Sequence, residues 1–73
     1  MNQPYKSKEV KKERMKCIES FESEKRFCIE GNTYIAEHSE SNVAFIFENG
    51  AMNFTPELWE KVKVAWKSVL KEE

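Results

Sequence analysis

Seventy-three residues, 40% of them apolar, 12% aromatic and 34% charged, make one small domain with a heavily solvated exterior and exclude a disordered chain. A chain of this length buries only about 60% of the surface its unfolded form exposes, so it has room for a single apolar cluster. The net charge of −1 is the difference of two opposed halves: residues 1–16 hold six bases (Lys6, Lys8, Lys11, Lys12, Arg14, Lys16) against Glu9 and Glu13, and residues 17–73 hold six bases against eleven Glu, giving +4 and −5.

No apolar run approaches the roughly 20 residues of a membrane span, and MNQPYKSKEV lacks the apolar core of a signal peptide. The expected compartment is the cytoplasm. There, Cys17 and Cys28 are expected as reduced, buried thiols. Two Cys and one His do not supply the four closely spaced ligands of a structural zinc site, so no metal and no cofactor are expected.

In chain order, residues 1–14 offer only Met1, Tyr5 and Val10 as sizeable apolar side chains, too few for a helical stripe. They read as a basic arm, flexible or forming a short exposed helix, ahead of one α+β domain over 15–73. MKCIESF, 15–21, suits a first strand, with the polar SEKR as its turn. RFCIEGNTYIAEH reads as one bent second strand, with Gly31-Asn32 supplying a bulge or kink. SESN, 39–42, is turn chemistry. VAFIFE, 43–48, is apolar enough for a central strand buried largely on both faces. Asn49-Gly50 predicts a type I′ hairpin turn with positive φ at both residues, and AMNF is the return strand.

Thr55-Pro56-Glu57 carries a helix start: a hydroxyl N-cap, a proline where no N–H is needed, and an acid near the positive dipole end. Phe54 and Trp59 then fall at the N′ and N4 positions of a hydrophobic staple. Leu58, Val62, Ala65 and Val69, widened by Trp59, Trp66 and Leu70, predict an amphipathic helix from Pro56 to about Lys71.

The order MKCIESF, EGNTY, VAFIFENGAMNFTPELW over residues 15–66 resembles small, mostly uncharacterised phage and Firmicute proteins that are similar to SH3-like β-barrels. The resemblance rests on Cys17-Ile18, Gly31, Tyr34, Gly50, Phe54 and Trp59, all residues of strand, turn or core, and it implies no catalytic residue. The basic arm and the long helix depart from that pattern. A long helix beside a small sheet is compatible with an α+β roll as well as with a closed barrel.

No catalytic set can be assembled from the candidates at hand. His38 reads as a surface histidine whose acidic neighbours Glu37 and Glu40 raise its pKa. Neither Gly31 nor Gly50 precedes a helix with the spacing of a phosphate-cradling loop. The chain has five Phe, two Trp and two Tyr, more than a core this small hides, so part of that surface is expected at an interface.

The fold predicted is a small, strongly bent antiparallel sheet of four or five strands, SH3-like, closed or flanked by a C-terminal amphipathic helix. The function expected is that of a non-enzymatic phage or mobile-element accessory protein that binds and inhibits a host protein, such as a defence or nucleic-acid-processing complex. Its candidate contacts are Trp66, Lys63, Lys67 and Tyr34. The alternative is a nucleic-acid-binding regulator using Lys6, Lys8, Lys11, Lys12, Arg14 and Lys16, with Tyr34, Phe45 and Phe47 as a stacking platform. A homodimer through the helix and Trp66 is compatible with both.

Overall fold

Seven strands and one helix follow one another along residues 10–73, the part of the chain that the computed structural model describes. They are β1 (Lys11–Cys17), β2 (Phe21–Ser23), β3 (Arg26–Cys28), β4 (Thr33–His38), β5 (Val43–Phe47), β6 (Gly50–Phe54), α1 (Pro56–Ala65) and β7 (Leu70–Glu72). Five strands form an antiparallel sheet in the order β6-β5-β4-β1-β7, and β2 and β3 form a separate hairpin. The large sheet ends at β6 on one side and β7 on the other, so no closed barrel exists among the described residues. The domain is α+β, as the sequence predicts.

Period-two burial sets the two faces of the sheet. Met15 and Cys17 of β1, Tyr34 and Ala36 of β4, and Val43, Phe45 and Phe47 of β5 all point to one side and are buried. That side is covered by α1 and by the β2–β3 hairpin, which adds Cys28 and the half-buried Phe21. At the centre Phe45 stacks on Trp59 at 5.6 Å and meets Phe47 edge-on at 4.7 Å. Trp59 is fully buried, a burial that contributes roughly 5 kcal/mol of transfer free energy.

The helix begins where the cap chemistry puts it. Thr55 is the N-cap and its hydroxyl accepts from the Leu58 amide at 3.1 Å, Pro56 opens the first turn, and Phe54 lies 5.7 Å from Trp59 as the staple requires. It ends earlier than expected. Trp66 leaves helical geometry at φ −98°, and its carbonyl accepts from both Val69 and Leu70 at 2.9 Å, which turns the chain back toward the sheet. Leu70, 3% exposed and opposite Cys17, gains more as a strand residue in the core than as the fifteenth residue of a helix. Leu58 and Ala65, counted on the apolar stripe, face solvent, and the inward side is Trp59, Val62 and Trp66.

Three other expectations are corrected. The strand that was to start at Met15 starts at Lys11, so Lys11–Arg14 belong to the sheet and not to an arm; residues 1–9 lie outside the described residues. The bent second strand is two strands in different sheets, β3 and β4, separated at Gly31 with φ +96°. β5 buries one face only: Ala44 is half-buried and Ile46 is exposed on the outer side.

The two hairpin turns exchange roles. In the β5–β6 turn Phe47 faces Gly50, so the central residues are Glu48 and Asn49, and neither has positive φ. Gly50 follows at φ +149°, a kink at the start of β6. The turn with two left-handed residues is Glu24-Lys25, at φ 52° and 70°, between Ser23 and Arg26. That is type I′ backbone built without glycine or asparagine.

Candidate binding groove

Each residue put forward from the sequence has a definite place. Tyr34 is buried, and its hydroxyl donates to Glu48 and accepts from the Ile29 amide at 2.9 Å, which ties β4 to the neighbouring loops. Burial and the Glu48 carboxylate raise its pKa. Phe45 and Phe47 are also core residues, so a stacking platform of Tyr34, Phe45 and Phe47 does not exist. Trp66 is half-buried and within 6.4 Å of Phe21, Phe45, Phe47, Phe54 and Trp59, a position that makes it a core aromatic first.

The basic residues split by strand parity. Lys12, Arg14 and Lys16 alternate with buried Met15 and Cys17, so they lie on the uncovered face of the sheet, where Lys16 is opposite Lys71. Lys12 is opposite Glu37 in the ladder, and Arg14 pairs with Glu73 at 3.4 Å. Two of these four cations thus have an acid beside them. Lys11 lies with Glu13 on the helix side, and Lys6 and Lys8 fall outside the described residues.

Glu13 is the hub that the sequence did not single out. Its carboxylate accepts from His38 Nε2 at 2.8 Å, from Trp59 Nε1 at 3.3 Å and from Lys63 Nζ at 3.1 Å. Burial alone raises the Glu13 pKa, but contacts with Glu72, His38 and Lys63 outweigh it and bring it down to about 2. Burial disfavours the Lys63 ammonium, yet Glu13, Glu60 and Glu72 raise its pKa. The acid in hydrogen-bond contact with His38 is thus Glu13, on the neighbouring strand, and not Glu37 or Glu40. Both Glu13 oxygens are occupied by donors, which makes this carboxylate an anchor for α1 and a poor base. The only signal in the sequence was parity: Glu13 precedes Met15 and Cys17 by two and four residues, on the face they bury.

The thiols are unpaired. Cys17 and Cys28 are buried, and burial, with Cys17 and Glu48 nearby, pushes Cys28 up to about 12, where it is neither nucleophile nor ready ligand. Among the described residues no three His, Cys, Asp or Glu side chains converge on a point that would hold a metal, and no helix is long and apolar enough to cross a membrane.

Lys63 and Lys67 instead open onto a groove of about 440 Å³ between α1 and β7. Met15 and Leu70 form its floor, Glu60, Val64 and Lys67 its helical wall, and Lys71 and Glu72 its strand side. Val64 is 67% exposed, the most exposed large apolar side chain among the described residues. The groove is hidden in the sequence because Leu70 continues the helical period of Val62 and Trp66. Only with the chain turned back at Trp66 do Val64 and Leu70 face each other across a cleft.

Comparison with known proteins returned no matching family model, no matching curated sequence and no matching solved structure.

Proposed function

We propose that the chain is a non-enzymatic binding domain whose α1–β7 groove receives part of another protein. The observation that supports this most directly is Val64: an apolar residue left in water beside the apolar floor of Met15 and Leu70, with Lys63 and Lys67 on the same helix. An exposed apolar side chain at the wall of a groove with a charged rim gives a partner an apolar contact and a polar border. The resemblance over residues 15–66 extends the reading to a cytoplasmic phage or mobile-element accessory protein, similar to SH3-like domains, that binds and modulates a host protein, by inhibition.

The second reading, nucleic-acid binding by the uncovered sheet face, is supported by the row Lys12, Arg14, Lys16 and Lys71. It ranks lower, because that face has lost its stacking aromatics to the core and has Glu37 and Glu73 among the cations.

Affinity capture from host lysate with wild type and Val64→Glu separates the readings. A partner retained by wild type and lost with the variant is expected; equal recovery by both overturns the groove. Binding to mixed oligonucleotides that weakens steeply with salt and with Lys16→Glu, but not with Val64→Glu, would establish the second reading in its place.

A further inference from the structure

We infer that the occupant of the groove is an extended peptide segment with alternating acidic and apolar residues, which pairs as a sixth strand with the free edge of β7. The inference rests on the groove reading and adds the conformation and chemistry of the ligand.

The backbone supplies the first half of the argument. Ile18 donates to Val69 at 2.8 Å and Glu73 donates to Arg14 at 3.1 Å, two main-chain bonds at either end of one antiparallel register. Alternation then makes Lys16–Lys71 the hydrogen-bonded pair between them. It turns the main-chain groups of Leu70 and Glu72 away from β1. The Leu70 N–H is already taken by Trp66. The Leu70 carbonyl and the Glu72 N–H and carbonyl face outward along an edge that pairs with no other strand among the described residues, three groups in the geometry that a further strand uses.

Charge and pleat supply the second half. Residues of an added strand point alternately into the groove and toward the uncovered face. Those pointing in meet Met15, Val64 and Leu70, and therefore are apolar. Those pointing out pass Lys71, beside Lys16, and therefore are acidic. Lys67 at the groove wall and Lys71 have no carboxylate within ion-pair distance among the described residues, unlike Lys63, which Glu13 and Glu72 hold. Lys67 and Lys71 are the cations that an acidic strand laid along the groove meets unpaired.

The test is selection from a displayed library of random peptides on the full chain, followed by fluorescence anisotropy of the selected sequences. Enrichment of Asp or Glu alternating with Val, Ile or Leu is expected, with binding weakened at least tenfold by Lys71→Glu and by Val64→Glu. Amide exchange of Glu72 is expected to slow at least tenfold in the complex. Basic or non-alternating peptides, an unprotected Glu72 amide, or no enrichment at all overturns strand addition. The two levels fail separately: selected peptides that need Val64 but leave Glu72 unprotected keep the groove and remove the strand, whereas binding indifferent to Val64→Glu removes the groove itself. A free protein that is dimeric and becomes monomeric with Val64→Glu assigns the groove to self-association and also overturns the inference.

Discussion

Arg26 lies across the residue that bends the start of β6: a Cβ added to Gly50 would sit 2.8 Å from the guanidinium carbon of Arg26. The guanidinium, whose Nε donates to the Ala51 carbonyl at 3.4 Å, is the far end of an adaptable side chain and can swing away, but the φ of +149° at Gly50 cannot be relaxed without moving the hairpin. Gly50→Ala is therefore expected to cost about 1–2 kcal/mol, nearly all of it backbone strain. Urea denaturation of Gly50→Ala with and without Arg26→Ala decides the point, since substantial rescue by the second substitution would mean that the clash dominates.

The Glu24-Lys25 turn holds two L-residues in left-handed conformation, each at a cost of roughly 1 kcal/mol. Lys25→Gly removes one such cost and adds some backbone entropy to the unfolded chain. The expected outcome is a gain of about 0.5 kcal/mol, read as a higher denaturation midpoint at unchanged slope. A loss would show that the turn in solution is of another type.

Asn49 holds the small hairpin to the large sheet. Its side chain donates to the Lys25 carbonyl at 2.9 Å and accepts from the Phe27 amide at 3.2 Å, and next to it the Glu48 amide donates to Phe27. Asn49→Ala should cost about 1–2 kcal/mol and speed exchange of the Phe27 amide more than that of amides in β4 or β5. Asn49→Asp keeps the acceptor and sets a carboxylate against the Lys25 carbonyl, so it should fare no better than alanine.

Acid should loosen the helix from the sheet. Glu13 is held at about 2 in the folded protein, below the ordinary 4.5, so between these values the unfolded chain binds the extra proton. The stability that Glu13 contributes is then fully present above about pH 4.5 and is lost as pH falls toward 2, an effect on the order of 2 kcal/mol. The difference in midpoint between wild type and Glu13→Gln should shrink across that interval. A constant difference from pH 6 to pH 2 would place the effect on another group.

Trp66→Ala should lose about 3 kcal/mol or more, because its ring lies 5.2 Å from Phe21 and touches the Phe45, Phe47 and Phe54 rings as well. An unchanged midpoint would return Trp66 to the surface. Val64, fully separable from the core by its exposure, is the position at which binding and folding can be told apart.

What the sequence made legible were features with local causes. The Thr55-Pro56 cap, the Phe54–Trp59 staple, the SESN turn and the inward alternation of Val43, Phe45 and Phe47 need only neighbouring residues, and all are present. What it hid was decided at long range. Lys11–Arg14 look like a solvated arm because their inward residue is charged, and only Lys63, His38 and Trp59, distant in sequence, make Glu13 an inward residue. Val69-Leu70 continue a helical period until β1 offers an edge to pair with. The α1–β7 groove inherits that difficulty, since it exists only once both long-range choices are made.

The pairing of β1 with β7 also has a history during synthesis. β1 leaves the ribosome ahead of β7, with roughly fifty residues between Cys17 and Leu70, so at about 5–20 residues per second one flank of β1 stays open for several seconds. A strand waiting that long is a target for misassociation with other nascent chains. Lys11, Lys12, Glu13, Arg14 and Lys16 place a charge at five of its seven positions, the composition that discourages a stray partner until the proper one arrives.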